Sequence, residues 1–191
     1  MALRRILITG AGGGLGKVLR QSLVGTADII RLSARRDIGE AAAHEEIQLC
    51  DLADAPAVGK LLEGVDAVVH MGGQATEADW DTVLKSNIVG MINLYEAARK
   101  SGTRRIIFAS TNHVIGMHPI TRKLDHDSPP RPDSRYGLSK AFGEDLGNLY
   151  AYKHGISSMC IRIGSSFPEP TNRRMLSTWF SYRDLTELIK V

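Results

Sequence analysis

Tyr136 and Lys140 stand four residues apart, a spacing that puts both side chains on one face of a helix. A phenol beside an ammonium group is a pair suited to proton transfer. The ordinary phenol pKa of about 10 is too high for a base at neutral pH, and a neighbouring cation favours the phenolate. A phenolate so held can take the proton of a substrate hydroxyl. Thr111 closes a dense polar group, Ser110-Thr111-Asn112-His113, at the end of the apolar run Arg104–Ala109. Its hydroxyl can hold the oxygen that loses the proton. Tyr136, Lys140 and Thr111 are therefore the candidate catalytic residues. Alone, the tyrosine–lysine spacing is weak, because exposed helices carry such pairs by chance. Its meaning depends on what precedes it in the chain.

What precedes it is a glycine turn. Thr9-Gly10-Ala11-Gly12-Gly13-Gly14-Leu15-Gly16 follows the apolar run Ile6-Leu7-Ile8 and opens the helical pattern Val18, Leu19, Leu23. Strand, glycine turn and helix in that order form the setting in which glycines bind a dinucleotide. Gly10 lets the backbone turn, Gly13 lets it pass close to a pyrophosphate, and Gly16 clears space for helix packing. Gly14 and Leu15 then lie at the helix N-terminus, whose free N–H groups and positive dipole end attract phosphate. With a nicotinamide cofactor the proton transfer gains a partner step, in which hydride leaves the carbon whose hydroxyl proton the phenolate takes. Lys140 would also hydrogen-bond the nicotinamide ribose.

The elements between these two groups would carry the rest of the cofactor site. Strands are expected at Leu3–Thr9, Ile29–Leu32, Glu46–Leu49, Val65–His70, Arg104–Ala109 and Ser157–Ile163. Helices are expected over Gly13 to about Val24, Ala55–Glu63, Ala78–Ser101, from Tyr136 to about His154, and at the end of Ser177–Val191. Such alternation predicts a three-layer α/β fold, a Rossmann fold with a doubly wound parallel sheet. The second strand ends in Ser33-Ala34-Arg35-Arg36, where a carboxylate would favour NAD. A hydroxyl and two guanidinium groups suit a 2′-phosphate instead, so NAD and NADP both stand, with the arginines favouring NADP. The alternative is that Arg35 and Arg36 are solvated loop residues. Asp51 and Leu52 at the third strand end can meet the adenine; Asp51 or Asp54 can also cap the following helix. Met71, Gly72 and Gly73 are small enough for a cofactor to lie across the fourth strand end, where His70 reads as a packed histidine. Asn87 is an amide in an apolar stripe. It is a cofactor-side candidate that holds a water near the site, or it ties its helix to a neighbouring strand.

Composition excludes several classes. Net charge is +3 and no basic run exceeds a pair, which gives no basis for nucleic-acid binding. No apolar run approaches the ~20 residues of a membrane span. Met1–Arg5 leads directly into a strand, so no signal peptide is expected. Cys50 and Cys160 form neither a metal spacing nor a disulfide framework. A cytoplasmic protein of one domain, residues 1–191, without a metal is the expectation. Its substrate-pocket elements are expected at about 111–135, which includes the proline-containing loop Thr121–Arg135, and at about 164–180.

At this level of detail the chain resembles the extended short-chain dehydrogenases of the epimerase/dehydratase type, and among them the uronate dehydrogenases. The likeness rests on Thr9–Gly16, Cys50–Asp54, His70–Gly73, Asn93–Arg99, Phe108–His113, Tyr136–Lys140, Arg162–Ser165 and, most specifically, Arg174–Phe180. The resemblance implies oxidation of the anomeric carbon of a hexuronic acid, such as glucuronate or galacturonate, to an aldarolactone. It implies Tyr136 as base, Lys140 as its partner and Thr111 as the hydroxyl that binds substrate. It places Thr76, Asn112, His113, Ser165 and Arg174 with Tyr136 around the sugar acid, and Ile163 at the cofactor. His113 could alternatively pack the loop. The chain departs from the family in having Ala34 and the arginine pair in place of an acid, and Ala75 in place of a serine. It is also shorter than the family and is expected to lack its last strand and C-terminal segment. Two other readings share these motifs: a nucleotide-sugar epimerase or dehydratase, and a truncated dinucleotide-binding module with little catalysis. By analogy with the superfamily a homo-oligomer is expected, through the helices beginning near Ala78 and Leu138.

Overall fold

The computed structural model describes residues 3–190; the expectations that fall on Met1, Ala2 and Val191 lie outside the described residues. Six strands pair in parallel: β1 (Leu3–Thr9), β2 (Ala27–Ala34), β3 (Glu45–Leu49), β4 (Ala67–His70), β5 (Arg105–Thr111) and β6 (Ser157–Ile163). Their order in the sheet is β3-β2-β1-β4-β5-β6. This is the doubly wound Rossmann arrangement expected from the alternating pattern, and its chain reversal falls between β1 and β4. The register brings Thr9 beside both Ser33 and His70, and Thr111 beside Ile163. The carboxyl ends of the strands thus align along one edge.

Strand residues alternate between two cores. Leu7, Val68, Ile106 and Phe108 face α2 (Ala55–Leu61), α4 (Gly90–Ser101) and α5 (Arg135–His154), where Val58, Leu94, Tyr95 and Tyr150 are buried. Ile6, Ile8, Ile30, Leu32, Ile161 and Ile163 face α1 (Gly14–Ser22) and α6 (Tyr182–Lys190), through Leu19, Leu185 and Ile189. A sheet covered on both faces explains why its inner strands read as continuous apolar runs. Glycine also sets one helix spacing directly. A Cβ on Gly143 of α5 would sit 2.6 Å from the Phe108 ring, so α5 lies close against β5.

Side chains mark the helix starts. Asp54 accepts a hydrogen bond from the Ala57 amide, which resolves the capping alternatives in favour of Asp54 over Asp51. Asp79 accepts from Thr82, and Ser134 accepts from Gly137 at the start of α5. The long helix expected from Ala78 starts at Trp80 and is not uniform. α3 (Trp80–Val83) runs into a π-helical turn (Leu84–Val89) and then into α4. The extra residue in that turn changes which side chains face the sheet, and Asn87 lies within it.

His70 is the packed histidine the sequence suggests. It is buried, stacks on Phe108 with ring centroids 5.7 Å apart, and has Nδ1 2.7 Å from the Thr9 hydroxyl. Burial, reinforced by the nearby Lys140 cation, lowers its pKa from 6.5 to about 3. The unfolded chain therefore binds a proton near pH 6.5 that the folded chain refuses until about pH 3. Stability contributed by neutral His70 is complete above that window and is lost as pH falls through it. Urea unfolding at pH 7 and pH 5 should show a steeper loss for the parent protein than for His70→Asn, which lacks the titrating group.

Candidate active site

The site is a cleft of about 1680 Å³ along the carboxyl ends of the strands. Its floor is the glycine turn. Gly10 has φ of +67°, and a Cβ there would lie 2.7 Å from the Met71 carbonyl, so β1 and β4 could not approach as they do with any other residue. Gly16 is tighter still: its Cβ would fall 2.1 Å from the Gly10 carbonyl oxygen. The space Gly16 clears is thus for the turn itself rather than for the sheet. A Cβ on Gly14 would meet nothing within 4 Å, which is open cleft. Gly13 caps α1 without a side-chain bond. Among the described residues the N–H groups of Gly14, Leu15 and Gly16 have no acceptor. Unpartnered donors at a helix N-terminus, facing a cradle without side chains, fit a dinucleotide pyrophosphate.

One end of the cleft is lined by Ser33, Arg35, Arg36, Asp51 and Leu52. Ser33 is buried, while Arg35 and Arg36 are exposed and form no ion pair among the described residues. Asp51 accepts from the Ala53 amide and lies 3.3 Å from Lys85, interactions that hold its carboxyl below the usual range. Leu52 packs under Gly72, where a Cβ would be 3.1 Å from its Cδ1. The loop after β2 is folded back by Arg20. Its guanidinium grips Glu45 at 2.9 and 2.7 Å and donates to the Ile38 and Glu40 carbonyls. Neither Arg20 nor Glu45 stands out in the sequence, since each is an ordinary charge on an amphipathic element.

Met71, Gly72 and Gly73 line the middle of the cleft, together with Ile163. The Gly72 amide donates to the Thr9 hydroxyl. At the other end stand Thr76, Thr111, Asn112, His113, Tyr136 and Lys140. Thr111 ends β5, and Tyr136 and Lys140 occupy the first turns of α5. Lys140 is buried, donates to the Ala109 carbonyl at 2.8 Å, and lies over the Phe108 ring at 4.7 Å. Burial lowers its pKa to about 8. The His113 ring meets the Tyr136 ring edge-on with centroids 5.8 Å apart. Asp133 holds His113 through Nδ1 at 2.9 and 3.0 Å.

The NAD dependent epimerase/dehydratase family matches residues 6–181 of this fold and site. The chain belongs to that family. A uronate dehydrogenase from Pseudomonas syringae pv. tomato is 54% identical over 97% of this chain and 68% of its own length. The crystal structure of a glucuronic acid dehydrogenase from Chromohalobacter salexigens superposes with a TM-score of 0.96. It is 52% identical and is covered over 71% of its length by 98% of this chain. A mutant uronate dehydrogenase from Agrobacterium tumefaciens, crystallised with NAD, is 49% identical with a TM-score of 0.97. There 99% of this chain covers 71% of that one.

Three residues assigned from sequence stand apart from the cleft that the family motifs line. Asn87 does not line it. The Asn87 amide accepts from Gln74 N–H and donates to the Gln74 carbonyl and the Ser139 hydroxyl, so all its polar atoms are engaged. It ties its helix to the loop after β4 and to α5 rather than to a strand. Ser165 is held in a bridge to Trp179, with backbone bonds to Thr178 and Phe180, and does not line the cleft. Arg174 is exposed ahead of a short 3-10 turn (Met175–Ser177) and also lies outside it. The expected charge balance differs too. Burial pushes the Tyr136 phenol above its ordinary value, and the Thr111 hydroxyl only partly opposes this. Lys140 does not reverse the shift: its ammonium donates to the Ala109 carbonyl and lies 5.8 Å from the Tyr136 ring centroid. Sequence reasoning passed over Glu77 and Asp133; their positions ahead of a helix and beside the Ser134 cap were the available signal.

Gly16→Ala must displace the Gly10 carbonyl, at a cost of about 1–3 kcal/mol in chemical denaturation. Because the same turn holds the free amides, dinucleotide binding measured by calorimetry should be lost together with that stability.

Proposed function

We propose that this chain is an NAD(P)-dependent oxidoreductase that oxidises the anomeric carbon of a cyclic hexuronic acid to an aldarolactone. The observation that carries the proposal is the meeting of Thr111, Tyr136 and Lys140 at one end of a cleft whose floor is the glycine turn. The likeness to uronate dehydrogenases over nearly the whole chain supports the substrate class. A bound nicotinamide supplies the hydride acceptor. Tyr136 takes the proton of the anomeric hydroxyl, Thr111 holds that oxygen, and Lys140 carries a positive charge beneath the phenol. The C1–H bond breaks as the C1–O bond becomes a carbonyl. His113, fixed through Nδ1 by Asp133, offers Nε2 to the sugar acid beside Asn112 and Thr76.

The cofactor reading includes NADP because no carboxylate ends β2 and two free arginines line that end of the cleft. Exposed Ile92, Leu138, Leu149 and Tyr152 on α4 and α5 support a homo-oligomer formed through those helices. Both cysteines are free, which accords with a reducing cytoplasm. Among the described residues no helix is long and apolar enough to cross a membrane.

The test is the initial rate of nicotinamide reduction with glucuronate and galacturonate, each with NAD and NADP. Turnover is expected, and Tyr136→Phe should lower kcat about a thousandfold while dinucleotide binding persists. Equal rates in the two proteins would sink the assignment of Tyr136. In the same assay, Arg35→Ala and Arg36→Ala together should weaken NADP about tenfold or more and leave NAD nearly unchanged. A parallel loss for both cofactors would mean the arginines do not read a phosphate.

A further inference from the structure

The loop between β4 and α3 does more than line the cleft. Gly73, Gln74, Thr76 and Glu77 lie on it in sequence, and it is fastened to α5 at two points. At the first, Asn87 bonds both backbone groups of Gln74 and the Ser139 hydroxyl, which itself donates to the Tyr136 carbonyl. At the second, Glu77 spans two residues of the α5 start. Its Oε1 accepts from the Arg135 guanidinium at 2.7 Å, and its Oε2 accepts from the Tyr136 amide at 3.0 Å. Arg135 is held in turn over the Trp80 ring at 5.8 Å. A backbone amide in the first turn of a helix has no helical partner. Here the unpaired amide belongs to the proposed base itself.

We infer that Glu77 is a positioning residue for Tyr136, coupling the placement of the phenol to the loop that faces the dinucleotide. The inference rests on the proposed role of Tyr136 and goes beyond it. Glu77 fixes the first turn of α5 from outside, while the Ser134 cap and the Gly137 contact with the His113 carbonyl fix it from beneath. Movement of the Gly73–Glu77 loop is therefore transmitted to the phenol. Burial is what raises the Tyr136 phenol above its ordinary value, so loosening of this turn admits solvent and lowers it. The other charged or titratable groups around the phenol are Lys140 and Arg135 on α5, His113 on the turn after β5, and Asp133 behind His113.

The experiment compares parent protein, Glu77→Ala and Glu77→Gln by two readouts. The first is the ultraviolet titration of the Tyr136 phenol, isolated by subtracting Tyr136→Phe, and it needs no turnover. The Ala variant should titrate at lower pH than the parent, and the Gln variant, which keeps an acceptor for the amide, should fall between them. The second readout is steady-state kinetics with the uronate and dinucleotide pair that turns over. Glu77→Ala should lose about tenfold in kcat, with dinucleotide binding changed about twofold at most, and Glu77→Gln should recover most of the loss. An unmoved phenol titration in Glu77→Ala overturns the inference. So does a loss of kcat matched by an equal loss of dinucleotide affinity. Absence of uronate turnover in the parent protein would instead count against the proposed function, and the titration would still decide the role of Glu77.

Discussion

The close approach of the Gly10 turn to the end of β4 is the constraint on which the site depends. At that contact any Cβ on Gly10 would enter the Met71–Gly72 backbone, and any Cβ on Gly16 would enter the turn. The two glycines therefore fix where α1 begins relative to the strand on the other side of the chain reversal. From that one placement follow the free amides at the α1 start and the path of the loop after β4. That loop continues through Gly72, whose amide is caught by Thr9, to Glu77 at the start of α5. Backbone geometry at one end of the cleft thus propagates through a single loop to the side chain at the other end.

The second organising feature is α5. It spans 20 residues, and its opening turn holds Tyr136 and Lys140 while its middle packs on β5. Deeper along it, Glu144 forms a two-point ion pair with Arg162 of β6 and accepts from Ser110 of β5. This pair, buried on the Glu144 side and half-buried at Arg162, ties α5 to the last two strands just below the polar strand end that carries Thr111. Breaking such a pair leaves an uncompensated charge in the interior, so it penalises displacement of α5 in any direction.

Much of this was legible in the chain. Apolar runs and glycine spacing marked the strands, the turn and the reversal, because backbone requirements of that kind admit few residue types. The tyrosine–lysine pair was legible because helical spacing is a local property. Asn87 was harder: a π-helical turn shifts its direction, and periodicity that assumes a regular helix cannot anticipate the insertion. Glu77 and Arg20 were barely legible: a position ahead of a helix was the one signal for Glu77, and Arg20 had none. Each is an exposed-looking charge whose partner lies far away in sequence, 58 or 59 residues for Glu77 and 25 for Arg20. Arg174 shows the reverse difficulty. Its residue type suits a carboxylate, and the motif around it is specific, yet in this fold its segment leaves it outside the cleft lining.

Electrostatics at the base also depended on orientation that sequence does not carry. A lysine four residues after a tyrosine suggests a lowered phenol pKa, but burial acts on both groups before they act on each other. Desolvation pushes the phenol up and brings the ammonium down to about 8. Burial disfavours the charged form of each, yet at neutral pH the lysine stays mostly charged while the phenol stays neutral. A unit positive charge brought ~5 Å from the phenol, at an effective dielectric of about 20, is worth roughly 3 kcal/mol, or about two pKa units. That is enough to offset a desolvation shift of ordinary size. Base strength at Tyr136 is therefore set by what fills the cleft. A buried lysine without a carboxylate partner is suited to this arrangement, because no counter-ion competes for the charge that the phenolate needs.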